Sequence, residues 1–508
     1  MTARLKTFGL IAAIAAIAAT VTVVSTAQEP RPADVRLREA EALLSGLHYE
    51  EALAAYRQAR VTEDARVRVR AGAGITRTLL RLGQFEDAER EANTAVTADP
   101  TAATALALHG DALWAIGLFE DAESRYDAAL RIDPNDPAAI HGRARSLAAQ
   151  FRLDDALTLT TRVVAAVPSE PEYLYTLALI HERRGEFQAA AEALDRYAWQ
   201  LPPGDQTHLV KWARAQQKFF EGFGRRTPLE VQSKADSYVL PIRIVGSRVL
   251  VDGSVNGRTA VEFALDTGTD QTILTPAIAS KANVKTTTAL QSAGVGSMGL
   301  GFRDLQLARV EQLQIGGLRV RNVPAVVKDP ALVGMPRPEG AGFSPIAFGF
   351  SMVLDYETRQ LTIARRLPKT EHAFTLPLRV HRLPIIRVMV NGTIPAGFAI
   401  DTAGDANALS RRLARRLEFN KDVPIVAARV YGSAGPDPTA FLLPFVRLDL
   451  APGVRTLGES IAVLNLDAPS GLLGVNLGGI LGHDFLRRYR LTIDLVRSEV
   501  GLDPLPIR

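Results

Sequence analysis

Four alanines, Ala88, Ala122, Ala156 and Ala190, stand 34 residues apart, so this part of the chain must stack copies of one small unit. Gly83-Gln84-Phe85-Glu86-Asp87-Ala88 runs on to Asp99-Pro100, and Gly117-Leu118-Phe119-Glu120-Asp121-Ala122 runs on to Asp133-Pro134. Ala156 with Pro168, and Gly185-Glu186-Phe187-Gln188-Ala189-Ala190 with Pro202, continue the series. An earlier copy, Tyr49-Glu50-Glu51-Ala52 with Tyr56 and Ala59, is displaced by a two-residue insertion. Each copy has the pattern of two helices. The alanine is small because the helices cross closely there, Tyr56 and Tyr126 fill the gap to the next copy, and the proline ends the second helix. Gly110, Ala144 and Ala178 supply the small position on the first helix, at the same step.

The pattern resembles the tetratricopeptide repeat, whose period this is. It gives about five repeats over 35–224, with His208 to Phe223 as a closing helix that turns Leu209, Trp212, Phe219 and Phe220 inward. The resemblance implies a concave surface for a protein or peptide partner. A spacer or a platform for the neighbouring domain remains open, since periodicity does not separate these roles.

Helical periodicity stops near Gly224. Residues 225–235 have the composition of a linker, and alternation of period two begins at Tyr238. From here the sequence is doubled. Val255-Asn256-Gly257 precedes Phe263-Ala264-Leu265-Asp266-Thr267-Gly268, and Val390-Asn391-Gly392 precedes Phe398-Ala399-Ile400-Asp401-Thr402-Ala403, with a constant offset of 135. The Asn-Gly pairs suit I′ turns, which need positive φ at both central residues. A doubled β unit is the economical explanation.

The halves resemble retropepsin-type aspartic protease lobes joined in one chain, lobe 1 over 236–368 and lobe 2 over 369–508. A short polar stretch and small helix follow each motif, and Gly479-Ile480-Leu481-Gly482 matches the family's apolar-apolar-glycine signature. In the first half Glu339-Gly340-Ala341-Gly342-Phe343 stands in that place, which implies a looser support behind Asp266. The fold expected is a multidomain chain, an all-α solenoid followed by an all-β two-lobed protease domain. The resemblance implies peptide-bond hydrolysis of a polypeptide substrate through Asp266 and Asp401, with no metal or organic cofactor. Two carboxyls in contact do not both ionise readily, so one proton is held between a base for water and a donor toward the carbonyl oxygen. Thr267 and Thr402 would bond across the lobe interface, and Gly268 and Ala403 would allow the loops to approach. Gly294, Gly296, Ser297 and Gly299 mark a flap over the substrate, with Tyr431 and Gly432 in its counterpart. A phosphate cradle and a plain flexible loop are the other readings of the glycine run; the cradle needs a helix behind it, and Phe302 to Val310 has the pattern of a strand.

Composition narrows the rivals. The 508 residues include no cysteine, which excludes disulfides, thiolate nucleophiles and cysteine-held metal. Eight scattered histidines without an HExxH motif argue against a zinc peptidase, and a net charge of +4 without a basic stripe argues against nucleic acid. Arg4 and Lys6, the apolar Leu10 to Val24, and Ser25-Thr26-Ala27 form an export signal over 1–27, either cleaved or kept as a membrane anchor. The folded part is therefore expected in the periplasm or outside the cell. A rival from another class stays open: a peptide-binding scaffold on a degenerate protease fold. A sugar- or lipid-processing enzyme has no supporting motif.

Overall fold

The computed structural model describes residues 32–201, 208–257, 259–295, 302–329, 341–417, 426–432, 435–456 and 458–506. The export segment, Gly296, Ser297 and Gly299 lie outside the described residues. Ten helices pair into five hairpins: α1 (Pro32–Ser45) with α2 (Tyr49–Ala59), α3 (Ala65–Arg81) with α4 (Phe85–Ala98), α5 (Ala103–Ala115) with α6 (Phe119–Ile132), α7 (Pro137–Ala149) with α8 (Leu153–Ala166), and α9 (Pro171–Arg183) with α10 (Phe187–Gln200). The helix α11 (His208–Glu221) packs on α10.

The alanines of the 34-residue step are fully buried at the helix crossings. Tyr126 shows why its neighbours must be small: a Cβ on Gly110 would lie 2.5 Å from its ring, and one on Gly142 of the next repeat 2.2 Å. Asp64 and Asp136 cap α3 and α7 by accepting backbone N–H groups. The turns inside the hairpins need a left-handed residue, supplied by Gly83, Gly117 and Gly185. At the fourth hairpin Phe151 adopts that conformation (φ 59°) at a cost of about 1 kcal/mol. Its ring packs on the β core, which offsets the strain.

Among the described residues from 230 to 504, three large sheets carry the β region. One belongs to each half. The third, of six strands, runs Phe374–Pro377, Glu499–Pro504, Tyr489–Asp494, Ser351–Asp355, Gln360–Ala364, Ser237–Pro241, and so ties the start, middle and end of the region together. Within the expected linker, Glu230–Val231 is a short strand paired with Arg321 and Val320, because its backbone completes an open edge of the first sheet.

The helical array lies against the β region along the edge formed by its intra-hairpin turns. Gly117 meets Gly397 so closely that a Cβ on the latter would lie 3.1 Å from the Gly117 carbonyl. The Asn476 N–H donates to the Ala115 carbonyl at 2.7 Å, and Ser498 Oγ to the Gln150 carbonyl at 2.6 Å. Arg379 is buried and forks onto Glu123 with two bonds of 2.7 Å. Arg412, on a short helix whose arginines have the pattern of a solvated face, instead donates to the Gly83 carbonyl and pairs with Glu86. Trp212, Phe219 and Phe220 of α11 share a core with Leu290, Leu305 and Val326 of the first half. One edge of the array is therefore a platform for the β region.

Candidate active site

Each aspartate sits just past the end of an apolar strand, Thr259–Leu265 for Asp266 and Ile394–Ile400 for Asp401. The Asn-Gly turns that launch these strands have positive φ at Asn256, Gly257, Asn391 and Gly392. Thr393 N–H donates to the Val390 carbonyl and closes the second turn, with Thr393 left as an extra loop residue before the strand. The asparagine has a further job, since Asn256 Oδ1 accepts from Gln312 N–H and Asn391 Oδ1 from Arg447 N–H. Turn and neighbouring strand are thereby locked in both halves.

The segment behind Asp266 is as firm as its counterpart. Ala341–Phe343 pairs in parallel with Phe263–Leu265, as Gly479–Leu481 pairs with Phe398–Ile400. Asp266 N–H donates to the Phe343 carbonyl at 2.9 Å, and Asp401 N–H to the Leu481 carbonyl at 3.0 Å. The expected looseness is thus corrected. Ser344 follows its strand where Gly482 follows the other, and a Cβ on Gly482 would strike the Ala406 carbonyl at 2.5 Å. The two halves meet this position with different loops, so the glycine is required in one alone.

The two threonines exchange bonds across the seam. Thr267 N–H donates to Thr402 Oγ1 and Thr402 N–H to Thr267 Oγ1, both at 3.1 Å. Thr267 Oγ1 donates on to the Ile400 carbonyl at 2.7 Å, and Thr402 Oγ1 to the Leu265 carbonyl at 2.8 Å. Four bonds between buried groups fix each half against the other. Gly268 has no room for a side chain, since a Cβ there would lie 2.7 Å from Asp401 Cγ.

The carboxyls are partly buried and differ in environment. Asp401 Oδ1 accepts the N–H groups of Ala403 and Gly404, both at 2.9 Å, which hold its anion. Burial raises its pKa nonetheless. Burial, and then the neighbouring Asp401 charge, push Asp266 up to about 7, against smaller opposing effects from Lys328, Gly268 N–H and Arg248. Near neutrality the pair therefore carries one proton, weighted toward Asp266.

The sequence motifs led to the aspartates and threonines but not to two ion pairs beside them. Arg382 Nε donates to Asp270 at 2.6 Å, and Arg248 lies across from Asp405 at 3.8 Å while donating to the Ala403 carbonyl at 2.6 Å. Each pair joins one half to the loop behind the other half's aspartate. The signal was present, because Asp270 and Asp405 keep the same 135-residue offset. Of the flap candidates, Gly294 ends the hairpin arm Lys285–Ala293, and Tyr431 and Gly432 lie in a small hairpin with Gly435–Asp437. These two hairpins touch: a Cβ on Gly432 would lie 2.2 Å from the Val295 carbonyl oxygen.

Residues 251–342 match a family model described as aspartyl protease, and residues 76–137 and 141–205 match the tetratricopeptide repeat. The chain thus carries helical repeats followed by an aspartyl protease family domain. No curated protein matches it. Similar solved structures include a thermophilic TPR protein of Thermus thermophilus, 22% identical over 34% of this chain and 93% of that one, with a TM-score of 0.30. YrrB, a TPR protein with an unusual peptide-binding site, is 21% identical over 33% and 86%, with a TM-score of 0.22. The human IFIT1 dimer is 17% identical over 38% and 48%, with a TM-score of 0.32.

Proposed function

We propose that this chain is an exported aspartic endopeptidase in which Asp266 and Asp401 activate one water against a peptide carbonyl. The observation that carries this reading is the reciprocal bonding of two buried threonines, which fixes two partly buried carboxyls at one seam with unequal proton affinities. The Asp401 carboxylate, steadied by two N–H groups, takes a proton from water as its oxygen attacks the carbonyl carbon. Asp266 gives its proton to the carbonyl oxygen. The tetrahedral diol then collapses: the C–N bond breaks, the nitrogen takes the proton held by Asp401, one diol hydroxyl returns its proton to Asp266, and a carboxylic acid and an amine leave. Thr267, Gly268, Thr402 and Ala403 hold the carboxyls in place. An extended polypeptide lies beneath the hairpins of Gly294 and of Tyr431 and Gly432, bonded like an added strand.

The helical array serves a protein or peptide partner on the surface left free by its docked edge, consistent with the general role of such repeats. Export rests on the charged start, apolar stretch and Ser25-Thr26-Ala27, and cell fractionation checks it. For the activity, the purified full chain is incubated with an unfolded protein between about pH 3 and 7. Cleavage that is blocked by a statine-type inhibitor and lost in both Asp266→Asn and Asp401→Asn is expected. Binding without cutting, unchanged in both variants, would instead establish the scaffold.

A further inference from the structure

A cavity of about 110 Å³ lies where the last repeat and α11 meet both halves of the β region. One wall is apolar, built by Phe187 and Phe219 of the array and by Phe348 and Val380 of the β region. The other carries Arg382, Thr272, Arg183, Glu182 and Asp270. Two donors on this wall lack a partner among the described residues. Arg382 Nη1 is buried with no acceptor, although Nε of the same group bonds Asp270 and the guanidinium lies over the Trp212 ring. Thr272 Oγ1 is also buried without a partner, on a residue only 1% exposed. Arg382 is further held at φ 61°, a conformation that non-glycine residues adopt at a cost.

Buried polar groups are nearly always bonded, so two orphaned donors on one cavity wall point to an absent acceptor. Charge points the same way. Asp270 offsets one of the two arginines, while burial pushes Glu182 up to about 7 and leaves it a weak counter-ion for the other. Burial lowers Arg183 to about 10, as expected for a cation short of compensation. Size sets the rest of the ligand. A cavity of about 150 Å³ holds the six carbons of benzene, so this smaller one takes about four or five heavy atoms, a carboxylate with a tail of one or two carbons.

We propose that this cavity binds a small monocarboxylate with an apolar tail of one or two carbons, its oxygens accepting from Arg382 Nη1 and Thr272 Oγ1. The chemistry is shared by a free short-chain acid and by the C-terminal residue of a peptide that ends in alanine. The site does not depend on the peptidase reading. Its occupant would bridge the helical array and the Asp270–Thr272 loop that follows Asp266.

Titration calorimetry and thermal shift on the full chain test this with propanoate, N-acetyl-alanine and propanamide. At least one acid is expected to bind and raise the melting temperature. The uncharged amide is expected to bind about tenfold or more weakly. Binding of the free acid alone assigns a small-molecule ligand, and binding of N-acetyl-alanine assigns a peptide terminus. Thr272→Val deletes an unpartnered hydroxyl, so it should leave the unliganded melting temperature unchanged or higher while weakening the acid about fivefold or more. Arg382→Gln should abolish binding. The proposal is overturned if neither acid binds at about 10 mM, if the amide binds as tightly as the acid, or if Thr272→Val binds normally. A Thr272→Val chain that is unstable without ligand also overturns it, since the hydroxyl would then have a partner within the protein.

Discussion

Replacing Thr402 by valine changes almost nothing in volume and removes two of the four bonds that join the halves. Thr267 N–H loses its acceptor, and the Leu265 carbonyl loses its donor. Both groups are buried, and valine can serve neither. An orphaned buried polar group costs about 1–3 kcal/mol, so two of them give a loss of about 2–5 kcal/mol once the valine methyl is credited. The other two bonds, made by Thr267 Oγ1 and Thr402 N–H, survive. At a urea slope of about 3 kcal/mol per M, the unfolding midpoint of the β region falls by about 1 M. The carboxyls are no longer held in one geometry, and kcat on an unfolded protein substrate should drop about tenfold or more. Thr402→Ser keeps the hydroxyl and should retain most of both properties. The reasoning is refuted if valine and serine behave alike, or if valine costs less than about 0.5 kcal/mol.

Three further outcomes follow from the same geometry. Gly268→Ala places a methyl group 2.7 Å from Asp401 Cγ and should abolish turnover in a folded chain, as circular dichroism with a cleavage assay will show. The Asp266 pKa is raised to about 7 in the folded state against about 3.9 unfolded, so the native chain binds more protons between these values. Its contribution to stability is therefore fully present below about pH 4 and is lost as pH rises through about 7; denaturant midpoints in Asp266→Asn should lack this slope. Arg379→Ala strands Glu123 at the docked edge and should cost about 3 kcal/mol, with earlier proteolytic separation of the helical array from the β region.

How far the sequence revealed this architecture depends on whether a feature is local or assembled. The helical array was legible because Ala88, Ala122, Ala156 and Ala190 each report a helix crossing within their own hairpin. The aspartates were legible because Asn-Gly turn, apolar strand and aspartate are contiguous and occur twice. The strand Ala341–Phe343 was not, since it lacks the glycine that its counterpart needs and its register is fixed by parallel pairing with a distant segment. Arg248 and Arg382 were missed because each acts on the opposite half, and nothing near them in the chain signals a partner more than 100 residues away. The docked edge was hidden for a related reason. Its contacts use Gly117 of a turn and Glu123 near the start of α6, whose pattern is equally that of a solvated surface.

The account rests on two unlike carboxyls holding one proton at the seam. Carbon-13 NMR titration of the aspartate side chains in the intact chain reads this directly, with Asp266→Asn and Asp401→Asn used to assign the two signals. The expected result is a coupled pair in which Asp266 stays protonated to about pH 7 while Asp401 ionises first. Two independent titrations near pH 4, each unaffected by loss of the other carboxyl, would contradict it.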